Sequence, residues 1–196
     1  DGSMPNESSP IYTSPIRVER STTIRAYAFL TGLDKSDVIT ANYIIKVNTP
    51  KLSLSPGTYY SPQSLTITCT NSTATIHYTT DGSVPNASSP VYTGPIIVDR
   101  TMTIKACAIA PGLEDSDVVT ASYVLKVHTP VISPKTGNYS SDQTVTISSA
   151  TSGAVIRYTI DGSEPDASSL VYSEPITVAK TTIIKAYAEK EGYTDS

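Results

Sequence analysis

The chain has 196 residues, of which 16% are charged, with a formal net charge of −4, no tryptophan and two cysteines. That charge density lies below the roughly one quarter usual for globular chains, and its 14 Lys and Arg residues are scattered rather than striped, which argues against a nucleic-acid partner because phosphate neutralisation needs clustered cations. No run of 18 apolar residues occurs, so no segment reads as a membrane-spanning helix.

The opening residues, Asp1-Gly2-Ser3-Met4-Pro5, return as Asp81-Gly82-Ser83-Val84-Pro85 and again as Asp161-Gly162-Ser163-Glu164-Pro165. The offset is 80 residues both times, without a gap, so one structural unit is copied. Glycine supplies positive φ in such a turn and aspartate accepts from nearby amides. Asp1, Gly2, Asp81, Gly82, Asp161 and Gly162 are therefore expected to be structural turn residues. The period divides the chain into a partial unit over 1–47, holding only the C-terminal part of the repeat, a complete unit over 48–127, and a unit over 128–196 that lacks its last strand. The expectation is a window on a longer tandem array, or broken units completed by a neighbouring or identical chain through strand addition.

Within the complete unit, Lys51 to Ser55 alternates toward Pro56-Gly57 and reads as an edge strand. Leu65 to Thr70 follows with period two, which puts Leu65, Ile67 and Cys69 on one face. Thr75 to Thr79 is expected to turn Ile76 and Tyr78 inward and His77 toward solvent. A Pro-rich connection over 84–95 carries Tyr92 and leads to a short strand at Ile96 to Val98. Next, Met102 to Ala108 alternates, with Ile104, Ala106 and Ala108 on one face and Lys105 and Cys107 on the other. After Pro111-Gly112, a last strand places Val119, Ala121, Tyr123, Leu125 and Val127 together and runs through His128-Thr129-Pro130 into the next unit. A joint so short and proline-stiffened should restrict how far units swing.

No window shows apolar residues at helical spacing between caps. Roughly seven short strands per unit, with turn signals every 8 to 12 residues or so, describe an all-β chain of tandem immunoglobulin-like β-sandwich repeats with an 80-residue period.

Three stretches carry a family resemblance: Tyr78-Thr79-Thr80-Asp81-Gly82-Ser83-Val84-Pro85, Ser89-Pro90-Val91-Tyr92-Thr93-Gly94-Pro95-Ile96, and Thr103-Ile104-Lys105-Ala106-Cys107-Ala108. They resemble the chitobiase and β-hexosaminidase C-terminal-type repeat, related to fibronectin type III-associated repeats of microbial secreted and surface proteins. The resemblance implies an Ig-like sandwich appended to secreted glycosidases or strung along large extracellular proteins, with no catalytic residues of its own.

The residues themselves point the same way. Nucleophilic catalysis needs a base beside the nucleophile, and the chain has only His77 and His128, which the repeat replaces by Arg157 and Asn48. No His-x-x-x-His or Cys-x-x-Cys spacing offers a metal site, and no cofactor is expected. Strand parity sets Cys69 inward and Cys107 outward, so the two read as unpaired thiols rather than as the sandwich disulfide. Of 13 tyrosines most recur at the 80-residue offset, the mark of core or corner residues. Tyr60, which has no counterpart, and its neighbours in the pattern, Tyr59 and Tyr139, are the candidate carbohydrate contacts, because a flat ring stacks on a pyranose face. Asn6, Asn71, Asn86 and Asn138 head Asn-x-Ser/Thr sequons in loops and are glycosylation candidates in a host with that machinery.

The chain is thus expected to be a non-catalytic extracellular or cell-surface array, acting as a structural spacer, adhesive shaft or filament-forming segment. Its alternative is a carbohydrate-binding accessory module of a secreted glycoside hydrolase, with polysaccharide as its partner. Neither reading calls for a nucleic acid or for membrane insertion of this segment.

Overall fold

Alternating apolar and polar side chains become paired strands throughout the computed structural model, which describes residues 2–196. Asp1, expected in the first turn, lies outside the described residues. In the first unit β1 (Thr22–Ala26) and β2 (Ile39–Tyr43) form an antiparallel pair.

The second unit is a two-layer sandwich. Its strands are β3 (Lys51–Leu52), β4 (Gly57–Tyr59), β5 (Gln63–Leu65), β6 (Ile67–Thr68), β7 (Thr75–Thr79), β8 (Ile96–Val98), β9 (Met102–Ile109) and β10 (Val119–Leu125). One layer is the sheet β4-β10-β9-β7, in which β4 runs parallel to β10 and the other pairs are antiparallel. The opposing layer consists of the pairs β3–β6 and β5–β8. The continuous strand expected over 65–70 is divided at Thr66, because the chain changes partner there, from β8 to β3. Ser53 covers the break, its hydroxyl accepting from Thr66 N–H at 2.8 Å while its own N–H donates to Thr66 O at 2.9 Å.

Side chains from both layers meet between them, as period-two strands require. Leu65, Val98, Ile104, Ala106, Tyr123 and Leu125 are wholly buried there. Tyr123 can sit in that apolar centre because its hydroxyl donates to Leu54 O at 2.9 Å, leaving no polar atom unsatisfied.

Two residues expected at solvent are buried. His77 and Cys107 face each other across the antiparallel β7–β9 pair, and they retain only 8% and 4% exposure. The parity is as expected, but the Pro-rich connection doubles back over that face: Tyr78 N–H donates to Pro90 O at 3.0 Å and Tyr92 N–H to Ile76 O at 2.8 Å. Both cysteines are free; Cys69 donates to Asn48 O at 3.3 Å, as the hydroxyl of its counterpart Ser149 does to His128 O.

In the third unit, β11 (Val131–Ser133), β12 (Gln143–Ser148) and β15 (Ile176–Val178) form one layer. The other is β14 (Leu170–Val171), β13 (Val155–Thr159) and β16 (Lys185–Glu189). Among the described residues the third unit has no counterpart of β10. Its place is a groove of about 590 Å³ lined by Ile132, Tyr139, Val145, Val178 and Ile184. Their second-unit counterparts, Leu52, Tyr59, Leu65, Val98 and Ile104, pack in the core that Tyr123 completes.

Candidate functional site

The repeated Asp-Gly-Ser turns are built by local hydrogen bonds. Asp81 Oδ1 accepts from Ser83 N–H at 2.9 Å and from its hydroxyl at 2.6 Å, and Asp161 does the same with Ser163 at the same distances. The serine hydroxyls first, then the backbone N–H groups, hold both carboxyls below their ordinary value. Gly2, Gly82 and Gly162 have φ of 74°, 80° and 83°, a region that glycine enters without steric cost. Each carboxylate is thus engaged with its own turn, an arrangement suited to structure. Among the described residues no group of three or more His, Cys, Asp or Glu side chains is placed to hold a metal ion.

Beneath the Pro-rich strap the copies solve one problem with different chemistry. His77 Nδ1 donates to Ser89 O at 2.9 Å, while Arg157 Nη1 donates to the equivalent Ser169 O at 3.1 Å. Arg157 also donates from Nε to Glu189 Oε1 at 2.6 Å, which holds Glu189 below the ordinary carboxyl value. In the second unit Glu189 is replaced by Ile109, and burial pushes the Cys107 thiol up, away from the reactive thiolate.

The three candidate tyrosines have different surroundings. Tyr59 is half-buried, its ring against Tyr123 at 6.4 Å between centroids and its hydroxyl donating to Ser55 O at 2.7 Å. Tyr139 is 49% exposed beside the third-unit groove, with its hydroxyl on Lys135 O at 2.6 Å. Tyr60 is 47% exposed and stacks on His128, with centroids 4.5 Å apart and planes 22° from parallel. Of the sequon residues, Asn6 and Asn86 accept through Oδ1 from the N–H of Ser8 and Ser88, both at 2.8 Å. Asn71 Oδ1 accepts from Asn48 N–H at 2.8 Å, and Asn138 lines the third-unit groove.

What the sequence reading did not single out is the contact between units, made twice by the same backbone hydrogen bonds at equivalent positions 80 residues apart. Ser21 N–H donates to Gly112 O at 3.1 Å, and Thr101 N–H to Gly192 O at 2.7 Å. Val47 N–H donates to Glu114 O and Val127 N–H to Thr194 O, both at 2.9 Å. In return Glu114 N–H donates to Ile45 O at 2.8 Å and Thr194 N–H to Leu125 O at 2.7 Å. Val47 and Val127 are buried in the core of the following unit, and Tyr193 packs against the cores of the second and third units together. Lys46 Nζ adds an ion pair to Asp117 Oδ1 at 2.6 Å. The signal was present in the recurrence of Gly32, Gly112 and Gly192, but a recurring glycine reads as a turn before it reads as a contact.

Fold and side-chain chemistry together define a tandem array of immunoglobulin-like β-sandwich units. The sequence profile of the chitobiase/beta-hexosaminidase C-terminal domain matches residues 1–40, 54–120 and 134–196, and the chain belongs to that family. It is also 37% identical, over 113 residues, to a protein named endoglucanase from Clostridium saccharobutylicum. That similarity covers 57% of this chain and 25% of the relative.

Proposed function

We propose that the chain is a non-catalytic accessory segment of a secreted glycoside hydrolase and that it engages polysaccharide. The observation that carries this reading is that all three units match a domain family named for its place in glycosidases, while a related stretch occurs in an endoglucanase. Tyr60 supports it at the level of side chains. Stacking on His128 restrains the ring, so a sugar laid on a restrained aromatic loses little further side-chain entropy.

The test is retention of the chain on insoluble cellulose and chitin. Retention that Tyr60→Ala abolishes, with the circular-dichroism spectrum unchanged, supports the reading; a chain recovered wholly in the unbound fraction contradicts it. A second reading, a structural spacer holding a neighbouring domain at a distance, is favoured by the repeated contacts between units. It requires no affinity for sugar, so the same retention experiment separates the two.

A further inference from the structure

The contact between units turns on one glycine. Gly112 and Gly192 sit in tight turns with φ of 77° and 79°, and each presents its carbonyl to the preceding unit. The space beside their Cα atoms is filled by that unit. A Cβ on Gly192 would lie 2.9 Å from Arg100 Cβ, closer than side-chain carbons approach, and one on Gly112 would lie 3.5 Å from Arg20 Cβ, an ordinary contact. Gly32 occupies the same turn position in the first unit with φ of 88° and has no atom within 4 Å of where its Cβ would stand.

Each joint also ties down the strand that leaves the preceding unit. The Thr101 hydroxyl accepts from Leu125 N–H at 3.0 Å and donates to Leu125 O at 3.3 Å, and the Ser21 hydroxyl treats Ile45 in the same way at 3.0 and 3.2 Å. Immediately beyond, His128 N–H donates to Thr151 Oγ1 and Asn48 N–H to Asn71 Oδ1, both at 2.8 Å. A flexible linker leaves its backbone groups to water and its domains free to reorient. Here the linker backbone is bonded on both sides, and its last valine is embedded in the next core.

We propose that these residues form a glycine-gated clasp, which holds successive units in one orientation and makes the array a rigid strut rather than beads on a tether. The clasp acts whether or not the chain binds sugar. Stiffness resides in the interlocked turn and strand, with the proline of the joint only one contributor.

The three glycines furnish the experiment, since they share a backbone conformation and differ in what lies beside them. Spin labels at Ser64→Cys and Thr144→Cys, in a Cys69→Ser, Cys107→Ala background, report the distance from the second unit to the third by pulsed dipolar spectroscopy. The clasp gives a single narrow distance in the parent protein, a broad distribution in Gly192→Ala, and the parent distance in Gly32→Ala. Arg100→Gly combined with Gly192→Ala removes the clash and restores the narrow distance, which keeps the test decisive if Gly192→Ala alone unfolds the third unit. A broad distribution in the parent protein, a Gly192→Ala variant as narrow as the parent, or equal broadening in Gly32→Ala overturns the proposal.

Discussion

Thr101, between β8 and β9 of the second unit, donates its backbone N–H to the carbonyl oxygen of Gly192 in the third, 2.7 Å away. A hydrogen bond joining neighbouring sandwiches, copied 80 residues earlier between Ser21 and Gly112, makes the joint part of the repeat. The repeating object is therefore a sandwich together with its seat on the previous one.

Tyr123 supplies the first expectation. Its buried hydroxyl is the partner of the half-buried Leu54 O, so Tyr123→Phe loses that hydrogen bond at a cost of about 1 kcal/mol. The counterpart change Tyr43→Phe, at a residue 45% exposed, shifts stability by less than about 0.5 kcal/mol. Urea unfolding of the two variants checks the contrast.

The strap offers a second. His77→Arg introduces the third unit's solution without its carboxylate, because Ile109 stands where that unit has Glu189. The single change lowers the thermal midpoint of the second unit, and Ile109→Glu added to it recovers most of the loss. A thermal double-mutant cycle measures the coupling; additivity of the two changes contradicts the equivalence drawn between the copies.

Dependence on pH follows from the turns. Asp81 and Asp161 have carboxyls held below the ordinary value of 3.8 by Ser83 and Ser163. Between the folded and unfolded values the unfolded chain binds more protons, so stability rises with pH there. The contribution is present above the ordinary carboxyl value and is lost as pH falls through the lowered one. Thermal midpoints recorded across that range should drop on acidification, and the drop should be smaller in an Asp81→Asn, Asp161→Asn variant.

The third-unit groove gives a fourth. Its lining matches the side chains that surround β10 in the second unit, so a synthetic peptide of residues 117–127 should bind it saturably and raise the unfolding midpoint. The same peptide carrying Tyr123→Ala should do neither. Calorimetric titration reads the difference.

Much of the sandwich was legible because its core faces one way along each strand: Ile104 with Ala106, and Tyr123 with Leu125, follow from alternation alone. Alternation names a face but not what covers it. His77 and Cys107 were placed on the correct side of β7 and β9, yet their burial depends on a strap that returns from elsewhere in the chain. The division at Thr66 was hidden for a related reason, since one alternating stretch serves two partners. At the candidate sugar contacts, recurrence separated Tyr60 from its neighbours, but its stack on His128 joins residues whose proximity only the joint creates.

One paired measurement tests the accessory role most directly: retention of the chain on an insoluble glucan, with reducing ends released by the same sample assayed alongside. An accessory segment stays with the solid and releases no sugar. Recovery of all the protein in solution, or release of reducing ends that scales with protein added, contradicts it.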